Sequence, residues 1–168
     1  MKDVDKKVTK EVIRLGKHLT EITTVKDSGG KVLHELVRPV MHEFYFRDVV
    51  QVIVGATLLA IPIGFTEEVW KLGNTMPWLN IVLLVLISAS FISLFVYYNY
   101  YRGEFSKNIF NFLKRVSTTY FVSVIVVGVL MTVILQVDWI NALDLSIKKV
   151  LIVAFPASMS AVIADVVK

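Results

Sequence analysis

Long uncharged runs, separated by short charged clusters, dominate the chain after residue 48. Eighteen uncharged residues lie between Asp48 and Glu67, thirty between Lys71 and Arg102, twenty-two between Arg115 and Asp138, and fifteen between Lys149 and Asp165. A helix crossing a hydrocarbon core of about 30 Å needs about 20 apolar residues. The runs therefore predict four transmembrane helices, at about 49–65, 78–98, 119–137 and 150–167. The last run reaches span length only if Asp165 sits at the membrane boundary and Lys168 extends toward headgroups. A soluble domain of 168 residues could not enclose four such segments on all sides. The first run begins near residue 49 and has no small-residue cleavage site, so it does not read as a secretory signal peptide.

Residues 1–48 follow a different pattern and form a separate segment ahead of the transmembrane domain at 49–168. Val4, Val8, Val12, Leu15, Leu19 and Ile22 recur at steps of three and four, which predicts an amphipathic helix over residues 3–26. Its apolar stripe needs cover, from a partner helix or from the inner leaflet with Lys6, Lys7, Lys10, Arg14 and Lys17 near anionic lipid. Asp27-Ser28-Gly29-Gly30 is strong turn chemistry. The flanks 21–25 and 31–37 suit a small hairpin, which would shorten the helix; a simple helix break fits equally. Met41–Arg47 reads as an aromatic interfacial lead into the first span. The predicted class is thus all-α and polytopic, with a hairpin in the N-terminal segment as the open alternative.

Charge adds an orientation. Fifteen of the 18 Lys and Arg fall in residues 1–48, 102–115 and at Lys168, against Lys71, Lys148 and Lys149 in the other loops. Basic residues are retained on the cytoplasmic side, so both termini are expected in the cytoplasm of a cell bounded by this inner, plasma membrane. Aromatics give an independent check: Trp70, Trp78 and Trp139 fall at predicted outer helix ends, and all six Tyr at inner ends. The basic balance is explained by this topology, so nucleic acid is not implied. With 55% hydrophobic residues and no Cys, disulfides, thiol chemistry and disorder are excluded.

Candidate chemistry is sparse. His34-Glu35 recurs as His42-Glu43, and imidazole with carboxylate can ligate zinc, although the spacing matches no established motif. Pro62 interrupts the first span just before Glu67 and Glu68, and paired carboxylates beside a broken helix suit a cation-attracting outer mouth. The plainer reading leaves both glutamates in interfacial water. In the fourth span Pro156 repeats the Ala-x-Pro pattern, and Ala154, Ser158, Ala161 and Asp165 form a strip of small residues ending in a carboxylate. Ala56, Ala60 and Gly64 make a similar face on the first span, and the ordinary meaning of two such faces is close packing of the two helices. No nucleotide-binding or hydrolase motif occurs, so neither an enzyme nor a cofactor is expected.

The string Gly64-Phe65-Thr66-Glu67-Glu68-Val69-Trp70, the preceding Gly55-Ala56 and the four-span layout resemble a family of uncharacterised prokaryotic integral membrane proteins, a domain of unknown function. The resemblance covers about residues 45–167 and leaves the N-terminal segment outside. It implies a bacterial or archaeal membrane protein and brings no activity. Two functions follow from the residues. One is a small homo-oligomeric cation channel or transporter, its path between subunits, with Glu67 and Glu68 outside and Asp165 inside. The other is a non-conducting membrane anchor or regulatory module acting through residues 1–48.

Overall fold

The structure is a computed structural model that describes residues 7–15, 18–26, 32–39, 46–101 and 109–167. The chain divides into two units, Met1–Glu43 and Phe44–Lys168.

The first unit is a three-stranded antiparallel meander of β1 (Lys7–Leu15), β2 (His18–Lys26) and β3 (Val32–Pro39), in the order β1-β2-β3. Strand pairing runs from Lys7 with Lys26 to Leu15 with His18, and from Thr20 with Pro39 to Lys26 with Val32, with a bulge at Val25/Lys26. This corrects the amphipathic helix expected over residues 3–26. Steps of four satisfy a period of 2 as well as one of 3.6, so Val8 and Val12 share a face in either structure. Composition decides between them: Thr20, Ile22, Thr23, Thr24 and Val25 make β2 a run of β-branched residues, which lose side-chain freedom in a helix and pack well on a pleated surface. The hairpin alternative is realised as β2–β3. The turn Asp27–Gly30 and the aromatic lead before Phe46 lie outside the described residues.

Among the described residues the second unit holds five helices: α1 (Phe46–Gly64), α2 (Glu67–Thr75), α3 (Trp78–Val96), α4 (Ile109–Val133) and α5 (Leu143–Val166). A π-helical turn, Tyr97–Tyr101, extends α3. Among the described residues four helices are long and apolar enough to cross a membrane: α1, α3 with its π turn, α4 and α5. They match the four runs, with corrected limits. α4 starts ten residues ahead of the expected 119, and α5 starts at Leu143 rather than 150. Charges ended the sequence runs without ending the helices, because Arg115, Lys148 and Lys149 are all held by partners described below. The stretch between the first two spans, expected as a loop, contains α2, which buries Val69 and Gly73 and exposes Glu67, Glu68 and Lys71.

Alanines pack the interior, and many bulky apolar side chains face outward. Ala56, Ala60, Ala154, Ala157 and Ala161 are fully buried, while Val54, Leu58, Phe121, Ile125 and Val129 are exposed, an arrangement that suits a lipid surround. A Cβ on Gly55 would lie 2.5 Å from the Ala164 Cβ and 2.8 Å from the Ala161 Cα, so glycine lets the α1 and α5 backbones touch. Gly64 lies instead against Leu130 and Met131 of α4. The expected packing of the first and last spans through small faces is therefore present, with Gly55 at its closest point. Ser88 of α3 and Ser158 of α5 share a buried hydroxyl–hydroxyl hydrogen bond across the core.

Candidate functional site

At one end of the bundle, every spanning helix contributes a polar side chain to a single layer. Asp48 stands in the first turn of α1, Tyr100 in the π turn after α3, Arg115 in the second turn of α4 and Asp165 in the last turn of α5. Arg115 Nε donates to Asp165 Oδ2 at 2.9 Å and Nη2 to Oδ1 at 2.9 Å, a two-pronged pair matched to the planar guanidinium. Asp48 Oδ2 approaches Arg115 Nη2 at 3.7 Å. The Tyr100 ring lies 3.6 Å beneath the guanidinium carbon, and its hydroxyl donates to the Asp165 carbonyl oxygen at 2.9 Å. Tyr101 and Phe112 close the layer edge to face, with ring centres 5.6 Å apart.

The three ionised side chains are almost completely shielded, with Arg115 and Asp165 at 0% exposure and Asp48 at 2%. Asp48 lies favourably at the positive end of a helix dipole. Asp165 lies at the negative end of its helix, so nothing local favours a carboxylate there and Arg115 supplies the compensation. The π turn carries one extra residue per hydrogen-bonded ring, and the layer's two tyrosines, Tyr100 and Tyr101, both belong to it.

At the opposite end all three indole N–H groups are engaged. Trp70 donates to the Gly64 carbonyl at 3.0 Å, Trp78 to Asp144 Oδ1 at 2.8 Å and Trp139 to Thr132 Oγ1 at 2.9 Å. Lys148 pairs with Asp144 at 3.3 Å and lies over the Trp78 ring, while Lys149 donates to the Gln136 carbonyl at 2.9 Å. The connection between α4 and α5 is organised by Asp138, whose carboxylate accepts from the Ile140 and Asn141 backbone N–H groups and the Asn141 amide. These bonds, from Asn141 first, hold the Asp138 carboxyl below its usual value of 3.8.

The residues singled out in the sequence do not converge. Glu67 and Glu68 are exposed on α2, Glu67 paired with Lys71 at 3.3 Å. Pro62 faces outward near the end of α1, which runs on through it for two residues. Pro156 is half-buried within α5, and Ser158 is tied to Ser88 and to the Phe155 carbonyl. Asp165 alone joins the charged layer. His34 and Glu35 are exposed on β3, while His42 and Glu43 lie outside the described residues. Among the described residues no three His, Asp or Glu side chains gather as metal ligands. Sequence reading missed Asp48 and Arg115, which it used only as the limits of uncharged runs. The signal was present in the topology itself: with four alternating spans, Asp48, Arg115 and Asp165 all fall at the same membrane level.

The chain matches the integral membrane protein family DUF2391 over residues 15–167. It belongs to that family. The match takes in β2 and β3, so the N-terminal sheet of this DUF2391 protein is largely inside the family's extent, not outside it as the resemblance implied. No curated protein and no solved structure matches the chain.

Proposed function

We propose that this DUF2391 protein is a non-conducting membrane module whose N-terminal sheet binds a protein partner, with the four-span bundle as its anchor. One observation carries the reading. In the sheet no described side chain is buried, and Ile13, Val32 and Leu36 are 41%, 50% and 47% exposed. A single three-stranded layer must cover one face to be stable, so the face that carries Leu36 and its cross-strand neighbour Thr23 is built to be covered. The Lys and Arg distribution supports a cytoplasmic sheet at the plasma membrane, and a second copy of the chain is one eligible partner. A cation path draws no support from the bundle: Glu67 and Glu68 stand apart on a surface helix, and Asp165 is spent on Arg115.

The test uses the full chain with a photo-crosslinking side chain at position 36, in native membranes. Crosslinks to a discrete protein, lost in Thr23→Lys beside position 36 on the neighbouring strand, support the reading. Crosslinks to lipid alone overturn it, and so does cation flux above that of empty vesicles when the purified protein is reconstituted.

A further inference from the structure

The outward face of α4 is bulky, with Phe121, Ile125, Val129 and Val133 all exposed. Gly128 breaks that surface. A Cβ built there would meet no atom within 4 Å, so the missing side chain leaves open space and serves no helix contact. That space belongs to an apolar groove of about 460 Å³, which follows α4 from Val124 to Val133. Val150 lines it from α5, and Trp139 from the connection between the two helices.

The polar atoms of the lining side chains are already spent. Trp139 Nε1 donates to Thr132 Oγ1 at 2.9 Å, and that hydroxyl donates to the Gly128 carbonyl at 2.7 Å. A polar occupant would therefore lose its hydration with nothing in the groove to offset the cost.

The dimensions select among apolar occupants. At about 1.5 Å per residue, Val124 to Val133 covers about 14 Å of helix, close to one leaflet's half of a hydrocarbon core of about 30 Å. Spread over that length, the volume gives a mean cross-section of about 30 Å², against about 80 Å² for a helix about 10 Å across. A second transmembrane helix is too thick to lie in it, whereas a single extended hydrocarbon chain is not. The groove runs along one of the four spans, where lipid is the surrounding medium. Tryptophan, here at its end, is the residue type that marks the boundary between hydrocarbon and headgroups.

We propose that this groove holds one acyl chain of a membrane phospholipid from the leaflet at the tryptophan end. The headgroup sits beside Trp139, and the chain descends past Thr132 and over Gly128 to Val124. Glycine is the floor of the groove, and a large side chain at position 128 takes the place of the lipid chain.

Photolabelling of the full-length protein tests this, in phosphatidylethanolamine and phosphatidylglycerol vesicles containing a phosphatidylethanolamine with a diazirine midway along one acyl chain. Label on residues 124–139, mapped by mass spectrometry, is expected to exceed that on exposed apolar residues of other spans, such as Leu58 and Leu86, by about threefold or more. Gly128→Leu and, one turn away, Val124→Phe are each expected to remove the excess. Even labelling of the wild-type protein overturns the proposal, and so does an excess that persists in both variants. The chain has no cysteine, so Gly128→Cys reports on its own neighbours. Oxidation of that variant in native membranes is expected to leave it monomeric. A disulfide-linked dimer would put α4 of a second copy over the groove and overturn the lipid assignment.

Discussion

Arg115 and Asp165, fifty residues apart in sequence, meet in a two-pronged ion pair from which water is excluded. A buried pair contributes less than its Coulomb attraction suggests, because both ions give up hydration, but removing one partner strands the other. Asp165→Ala is therefore expected to destabilise the bundle by about 3–5 kcal/mol. The triple replacement Asp48→Asn, Arg115→Met and Asp165→Leu, which leaves no charge in the layer, should recover most of that loss. Unfolding of the reconstituted protein, followed by circular dichroism, measures both.

The contact of α1 with α5 predicts a sharp contrast between two glycines. Gly55→Ala would force a methyl group into the Ala161 and Ala164 positions, at 2.8 and 2.5 Å, and is expected to cost about 1–3 kcal/mol. Gly128→Ala meets no atom within 4 Å and should be neutral, or better by up to about 1 kcal/mol. Thermal midpoints of the two variants, measured side by side, check the ranking.

Helix α4 ends in a Schellman arrangement, with Gln136 N–H on the Met131 carbonyl and Leu135 N–H on the Thr132 carbonyl, both at 3.0 Å. The residue in the left-handed position is Leu135, with φ 59°, where a Cβ is unfavourable by roughly 1–2 kcal/mol. Its side chain is 87% exposed and little packing is lost with it. Leu135→Gly should raise stability by about 1 kcal/mol, partly offset by the greater freedom of glycine in the unfolded chain. Denaturant midpoints of the variant and wild type decide it.

Asp138 predicts a pH dependence confined to acid. Its folded-state pKa is held below the ordinary 3.8, so the carboxylate's contribution is fully present above that value and is lost as pH falls through the depressed one. Asp138→Asn keeps an acceptor and removes the charge. The stability difference between wild type and variant should be constant near neutrality and shrink toward zero as pH falls from 3.8 through the depressed folded-state value. Thermal unfolding over a pH series reads this difference directly.

Several features were legible because they depend on local composition alone. The four spans follow from the lengths of uncharged runs, since lipid demands apolar side chains and internally satisfied backbone wherever the chain crosses. The gathering of Trp at one end and most Tyr at the other was equally readable, and the engaged indoles and the tyrosine-rich π turn agree with it. The small-residue faces of α1 and α5 announced their own contact.

Other features needed the tertiary structure. Residues 7–15 carry a spacing that two periodicities share, so only pairing with β2 made them a strand. Whether Arg115 marks the end of a helix or the inside of one depends on a carboxylate fifty positions away, and no local pattern carries that information. The same holds for Glu67 and Asp165, alike as charges beside apolar runs: one turned to the surface on α2, the other was locked into the core by a guanidinium on α4. Hydrophobicity alone placed this chain in the membrane, while the partners of its few charges, and so their roles, were set by which helices came to lie side by side.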